Sequence, residues 1–318
     1  MVSAFITVLN MSLTGAFVIS VVCLARVLLR KNLRRFMFCL WVVVGFRLMF
    51  PFSIESVFSL IPFSGQLISL DIAAPVMPYA DGVLRNNPLQ AWMAIGSYIW
   101  LTGVMLMLLY DIASYVFLRR DLTDAVHIDT NIYETKKIKT PFVLGIFAPK
   151  IYLPANLATR ERQYIVLHEQ MHVKRYDHIV KLVAYLILCL HWFNPLAWLA
   201  FFLICRDIEM ACDECVLREL GGGAVVKKDY SSVLLSLVSE QRAMSGSSLA
   251  FVNSDISLRI KNVLSLKKHS AMIFAASTVL VVMLSIGLLV SRTDARAAVY
   301  NTNSEATGQE FLRDWCCD

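Results

Sequence analysis

Hydrophobic and polar positions alternate along this chain in two textures. Four long runs are almost free of charge, at residues 4–25, 36–50, 91–110 and 271–290. A helix needs about 20 such residues to cross a hydrocarbon core, and each run meets or approaches that length. The second is the shortest; it contains Arg47 and stops before Pro51, so Arg47 is expected to snorkel to an interface. Between the third and fourth runs the pattern shortens. Strand-like segments at 126–133, 142–147 and 150–153, punctuated by Pro141, Gly145, Pro149 and Pro154, predict a small sheet. Thr159 as N-cap, with Glu161 in the first turn, then opens a helix expected to run to about Arg175. The stretch KLVAYLILCLHWFNPLAWLAFFLICR is again apolar, but His191, Asn194 and Pro195 sit near its middle. That predicts a helix, a break and a return helix: a hairpin at about 179–204 that dips into the membrane or lies on its inner surface.

Composition agrees with a membrane protein, since 57% of residues are hydrophobic and 17% charged, against about 25% charged in soluble domains. Basic residues set the orientation, because cytoplasmic flanks carry the excess. Arg26, Arg30, Lys31, Arg34 and Arg35 lie between spans one and two, Arg119 and Arg120 follow span three, and Lys261, Lys267 and Lys268 precede span four. The expected organisation is three transmembrane helices within 1–118 with an outside loop at about 51–90, a cytoplasmic domain at 119–268, a fourth span at 269–291 and a short outside tail at 292–318. Both termini then lie outside a bacterial-type plasma membrane. MVSAFITVLN lacks a basic leader, so span one is expected to be retained. The net charge of +6 is accounted for by these flanks, and no direct nucleic-acid partner is expected.

The chemistry lies in VLHEQMHVKRYDH, residues 166–178. Residues four apart on a helix share a face, so His168 and His172 present their imidazoles to one point, and two such nitrogens suit Zn2+. Glu169, one position on, flanks that point where a carboxylate can take a proton from an activated water. Zinc needs a third protein ligand, and the histidine extension found in some zinc peptidases is absent after His172. RDIEMACDEC supplies Glu209 as ligand and, one turn later, Asp213 to accept the far ring N–H of a ligand histidine. Cys212 and Cys215 form a lone C-x-x-C, read as packed thiols, as are Cys23, Cys39, Cys189 and Cys205; nothing selects a role for Cys316 and Cys317. His191 is read as a polar residue of the bend. Tyr176, His178 and Arg206 are candidates to stabilise an oxyanion.

The three N-terminal spans together with TPFVLGIFAPKIYLP, HEQMHVKRYDH, HWFNPLAW and RDIEMACDECVL resemble the integral-membrane metallopeptidase family of the BlaR/MecR β-lactam sensor-transducers. The resemblance covers most of residues 1–290. It implies a membrane α-helical protein with a cytoplasmic α+β gluzincin (thermolysin-like) domain. It also implies one Zn2+ on His168, His172 and Glu209, with Glu169 as general base and acid, and an edge strand at 142–147 that receives substrate as an added strand. The implied function is cleavage of the chain itself or of a cytoplasmic protein such as a transcriptional repressor.

The chain departs from that pattern after span four, where residues 291–318 are too few for a penicillin-recognising domain. Ser265 to Lys268 matches S-x-x-K only as part of a basic flank, so direct β-lactam sensing is not expected. The Ser/Gly-rich segment 239–257 reads as a linker, and self-cleavage is expected near Ala250–Phe251. The competing readings are a catalytically silent signalling scaffold, a sensorless peptidase of unrelated substrate, and, on span count alone, a transporter. A homodimer is compatible with the sequence.

Overall fold

A computed structural model describes residues 1–28, 34–51, 54–55, 60, 88–155, 157–245, 250–265 and 271–291. The expected outside loop and tail, with Cys316 and Cys317, fall almost wholly outside these residues. Helices dominate. The order is α1 (Val2–Leu28), α2 (Arg34–Met49), β1 (Ile54–Glu55), α3 (Pro88–Asp121), β2 (Val126–Asp129), β3 (Ile132–Thr135), β4 (Phe142–Leu144), β5 (Lys150–Pro154), α4 (Thr159–Lys174), α5 (Asp177–Leu190), α6 (Pro195–Glu219), α7 (Ala224–Ser245), α8 (Ala250–Ser265), α9 (Ala271–Leu289) and β6 (Val290–Ser291).

Two helices are long and apolar enough to cross a membrane, at Val2–Val27 and Leu89–Asp121, while the apolar parts of α2 and α9 are shorter, at Phe38–Met49 and Thr278–Leu289. One core joins Val18 and Val22 of α1, Leu40 and Val44 of α2, Ile187 of α5, Ala200 of α6 and Val281 of α9. In contrast α3 leaves Trp92, Tyr98, Leu106 and Phe117 open, an apolar surface that suits lipid and not water. Arg47 does not snorkel. It is 4% exposed and its Nε donates to Leu288 O at 2.9 Å, because the last carbonyls of α9 lack intrahelical donors.

The expected helix, break and return helix are α5, residues 191–194 and α6. Asn194 caps α6, accepting from Leu196 N at 2.9 Å, and Pro195 follows at the position where a missing N–H costs nothing. The bend is seated among the apolar helices: Asn194 Nδ2 donates to Ser12 Oγ at 2.8 Å, His191 Nε2 to Leu48 O at 2.8 Å, and Trp100 Nε1 to Leu190 O at 2.8 Å. His191 is thus a buried polar residue of the bend, and the hairpin inserts into the bundle. At its other end, Asp207 of α6 accepts from Arg26 Nη2 at 2.6 Å and from Trp41 Nε1 at 2.8 Å.

The sheet has the order β2-β3-β5-β4. The expected strand at 126–133 is a hairpin instead, with β2 and β3 antiparallel around residues 130–131. β5 is central, parallel to β3 and antiparallel to β4, which explains its unbroken run of buried Ile151, Tyr152 and Leu153. β4 is an edge, as expected, but it ends at Leu144 and not at 147, because Gly145 with φ 112° turns the chain out of the strand. α4 begins at Thr159, yet the cap is Ala158 and no side chain serves it; Thr159 is one residue too late for that role.

Gly103 sets how closely α3 meets the bend. A Cβ there would lie 2.3 Å from Trp192 Cε2, whereas one at Gly45 would be 3.7 Å from Ile187 Cδ1. Gly103→Ala is therefore expected to cost about 1–3 kcal/mol by overpacking, lowering the thermal midpoint of the detergent-solubilised protein, while Gly45→Ala leaves it unchanged or higher. Equal midpoints for the two variants would contradict this packing.

Candidate functional site

α4 is wedged between sheet and helices. Ile165 packs with Ile151 and Leu153, and Met171 with Cys212 and Val216. The remaining face turns His168, Glu169 and His172 into a cleft of about 450 Å³, which Glu209, Tyr230 and Arg259 also line. The β4 side of the cleft is formed by Thr140, Pro141, Phe142 and Val143.

The two histidines meet through Nε2, 3.1 Å apart. Glu209 closes the triangle, with Oε2 3.5 Å from His168 Nε2 and Oε1 3.5 Å from His172 Nε2. Tetrahedral zinc with bonds of about 2.0–2.1 Å requires ligand atoms about 3.3 Å apart, so these three side chains could hold such an ion with small adjustment. Cys212 Sγ also lies close, within 4.8 Å of ring nitrogens of both histidines. It approaches His168 at Nδ1, at 3.6 Å, and donates to His168 O at 3.4 Å. His168, His172 and Cys212 thus form a group that could hold a metal ion, while Glu209 is the donor that faces both Nε2 atoms. Cys212 is a neighbour of the site as well as a packed thiol.

The far nitrogens fix the tautomers. His172 Nδ1–H donates to Asp177 Oδ2 at 2.7 Å, and Arg175 Nε holds the other oxygen at 3.4 Å. Asp213 does not take the His168 N–H directly, since it lies 3.6 Å away. Tyr230 stands between: its hydroxyl is 2.8 Å from His168 Nδ1 and donates to Asp213 Oδ1 at 2.7 Å, so it accepts from the Nδ1–H. Arg259 pins Asp213 through Nε at 2.9 Å and Nη2 at 2.7 Å, and its Nη1 reaches Glu209 Oε2 at 3.3 Å. The two Nε2 atoms are thereby left toward Glu209, and Arg259 Nη2 also lies 3.3 Å from His168 Nε2.

The electrostatics favour positive charge at this point. Burial lowers the basicity of both rings, but Cys212 and Glu209 outweigh it for His168, which is pushed up to about 9. Asp177, Cys212 and Glu209 do so for His172, pushed up to about 12. Burial also raises Glu209, yet the two histidines, Arg259 and Lys181 hold its carboxyl well below the usual range. A proton on either Nε2 occupies the lone pair a metal would use, so loading the two rings with a divalent cation would release protons and would weaken as pH falls. Burial pushes the Glu169 carboxyl up against the opposing charges of His168 and His172, the direction a general base needs.

Of the proposed oxyanion donors, His178 lines the cleft, whereas Tyr176 and Arg206 are not among its lining residues. Tyr176 takes a left-handed φ of 58° that turns its side chain outward, and Arg206 lies on the part of α6 that packs in the hairpin. The described parts of the segment 239–257, at 239–245 and 250–257, are helical, and 246–249 lie outside the described residues. Ala250 and Phe251 open α8, so that peptide bond is helical and not in a linker. Sequence reasoning missed Asp177, Tyr230 and Arg259. Asp177 stood inside the quoted motif, and Ile256, Ile260 and Val263 around Arg259 carry the 4- and 3-residue spacing of a packed helix.

A mostly helical protein that buries His168, Glu169 and His172 of an HExxH helix, with Glu209 of a second helix facing them, is metallopeptidase-like in its class. A family model described as BlaR1 peptidase M56 matches residues 6–263, and the chain belongs to that family. It is 31% identical over 163 residues to the regulatory protein BlaR1 of Bacillus licheniformis, covering 49% of this chain and 27% of that protein. It is 29% identical over 133 residues to the methicillin resistance mecR1 protein of Staphylococcus aureus, covering 40% of this chain and 23% of that protein. The match thus takes in about a quarter of each relative. Family and apolar helices together point to a membrane location.

Removing the Tyr230 hydroxyl should loosen the orientation of His168. Tyr230→Phe is expected to weaken zinc binding by about 10–100-fold, measured by competition with a chelator, with helical content unchanged. An unaltered affinity would mean that the Nδ1 contact is idle.

Proposed function

We propose that this chain is a membrane-embedded zinc endopeptidase that cuts itself or a cytoplasmic protein such as a transcriptional repressor, in signalling related to the β-lactam response. The observation that carries the reading is the convergence of His168 Nε2, His172 Nε2 and the Glu209 carboxylate beside the buried Glu169. The names of the relatives, a regulatory protein and a methicillin resistance protein, support the signalling role. In this reading α1, α2, α3 and α9 span the membrane, and residues 119–268 face the cytoplasm with the gluzincin site.

Zinc held by His168, His172 and Glu209 supplies Lewis-acid activation of a water and of the scissile carbonyl. The protein does the rest. The substrate lies extended along the free edge of β4, where backbone pairing gives affinity without demanding one sequence. Glu169 takes the proton of the attacking water and returns it to the leaving nitrogen. Asp177 and the Tyr230–Asp213 pair keep the ligand rings in their Nδ1–H tautomers. Arg259, which lines the cleft and is held by Asp213, joins His178 as a donor toward the developing oxyanion. Cleavage at Ala250–Phe251 requires the first turn of α8 to unwind, because a helical peptide bond cannot pair with β4.

The test is fragmentation of a tagged chain in bacterial membranes with a candidate repressor coexpressed, comparing wild type with Glu169→Gln and assaying zinc in both. Loss of a general base costs about 10²–10⁴-fold in rate, so fragments of either protein should appear with the wild type alone while zinc is present in both. Equal cleavage by the two, or zinc in neither, would contradict the proposal.

A further inference from the structure

The loop after β4 carries two exposed apolar side chains, Ile146 at 50% and Phe147 at 99% exposure. Beside it Tyr176, 65% exposed, occupies a backbone position with φ 58°, which favours Gly or Asn over any bulky side chain. None of the three lines the cleft. Their exposure is built in: Gly145 takes φ +112°, and a Cβ there would meet the Ala148 backbone oxygen at 2.7 Å, so the tip can form only with glycine.

A chain of contacts links this tip to the end of α1. Arg26, in the last turn of α1, binds Asp207 at 2.6 Å, and Glu209 follows two residues later on α6, about 3 Å further along the axis. Lys181 of α5 reaches Glu209 at 2.8 Å. His178 lies one turn before Lys181, about 4.5 Å along α5, and its Nε2 is 3.4 Å from Ile146 O. Headgroup layers add roughly 6 Å to each side of the hydrocarbon core. The two rises together are about 7.5 Å, which puts the tip at the outer margin of the headgroup layer around Arg26, within reach of its bulky side chains. The apolar surface continues from Tyr176 along α5 through exposed Val183 and Leu186, which stand at helical spacing on one face. Lys150 and Lys174 flank the tip, as suits a surface carrying anionic lipid.

We infer that Ile146, Phe147 and Tyr176 form a foot inserted in the cytoplasmic headgroup layer, with the bilayer itself as occupant. Aromatic side chains with an apolar body favour that layer. The foot holds the β4 edge and the cleft at the membrane surface, so the segments that reach it are those presented next to the bilayer. The inference rests on α3 spanning the membrane, and does not depend on catalysis.

The test replaces Phe147 with the photocrosslinking residue p-benzoylphenylalanine in the full chain, reconstituted in nanodiscs of phosphatidylcholine and phosphatidylglycerol. Phe147 makes no core contact, so the substitution leaves the fold intact. The same residue at Leu106, 62% exposed on α3, is the lipid-facing reference, and at Thr130, exposed in the β2–β3 turn, the aqueous one. After irradiation, mass spectrometry is expected to find lipid adducts at 147 and 106 and none at 130. Adducts at 106 but not at 147 would overturn the foot, as would a protein crosslink at 147 in place of lipid. Absence of lipid adducts at 106 would overturn the span reading and the foot with it.

Discussion

The whole arrangement depends on returning Glu209 to the end of the apolar bundle that holds His168 and His172. A single crossing after Asp177 would carry α6 away from α4, and no three-ligand cluster could form. The chain solves this by folding α5 and α6 back on each other within an apolar bundle, where an open backbone turn is costly. The bend is made tolerable by pairing: the Asn194 amide serves both the first turn of α6 and Ser12 of α1, His191 meets Leu48 O, and Trp100 covers Leu190 O. Each such bond contributes about 1 kcal/mol, but leaving the same groups unpaired in the bundle would cost more than the bond supplies.

Because α6 carries Asp207, Glu209 and Asp213 within two turns, the bundle and the site share one rigid element. Asp207 is tied to α1 and α2 through Arg26 and Trp41. Glu209 faces the histidines, and Asp213 is clamped by Arg259 and Tyr230. Buried ionic groups are tolerated only when paired, and here nearly every oxygen has a partner. The cluster can therefore keep its geometry in a low-dielectric setting while it concentrates negative potential on the point between the two Nε2 atoms.

Much of this was legible in the sequence. The HExxH spacing gave the two rings on one face of α4, E-x-x-x-D the acidic pair of α6, and the Asn-Pro pair the bend, because each depends on local helical geometry alone. What escaped depends on contacts between distant segments. Arg47 looked like a snorkelling residue because the Leu288 carbonyl that holds it lies on another helix. Tyr230 and Arg259 carried no motif, and the polar segment 239–257 just before Arg259 suggested a linker although α8 begins within it. Strand ends at 126–133 were misread since Asp129, Thr130 and Asn131 turn a continuous-looking run into a hairpin.

The central claim is that His168, His172 and Glu209, not Cys212, hold the ion. X-ray absorption at the zinc edge of the loaded protein tests it most directly, since Zn–N and Zn–O distances of about 2.0–2.1 Å separate cleanly from Zn–S at about 2.3 Å. The account predicts a first shell of nitrogen and oxygen only, with the outer scattering of two imidazoles. A sulfur shell that disappears in Cys212→Ser would contradict it and make the cysteine the third ligand.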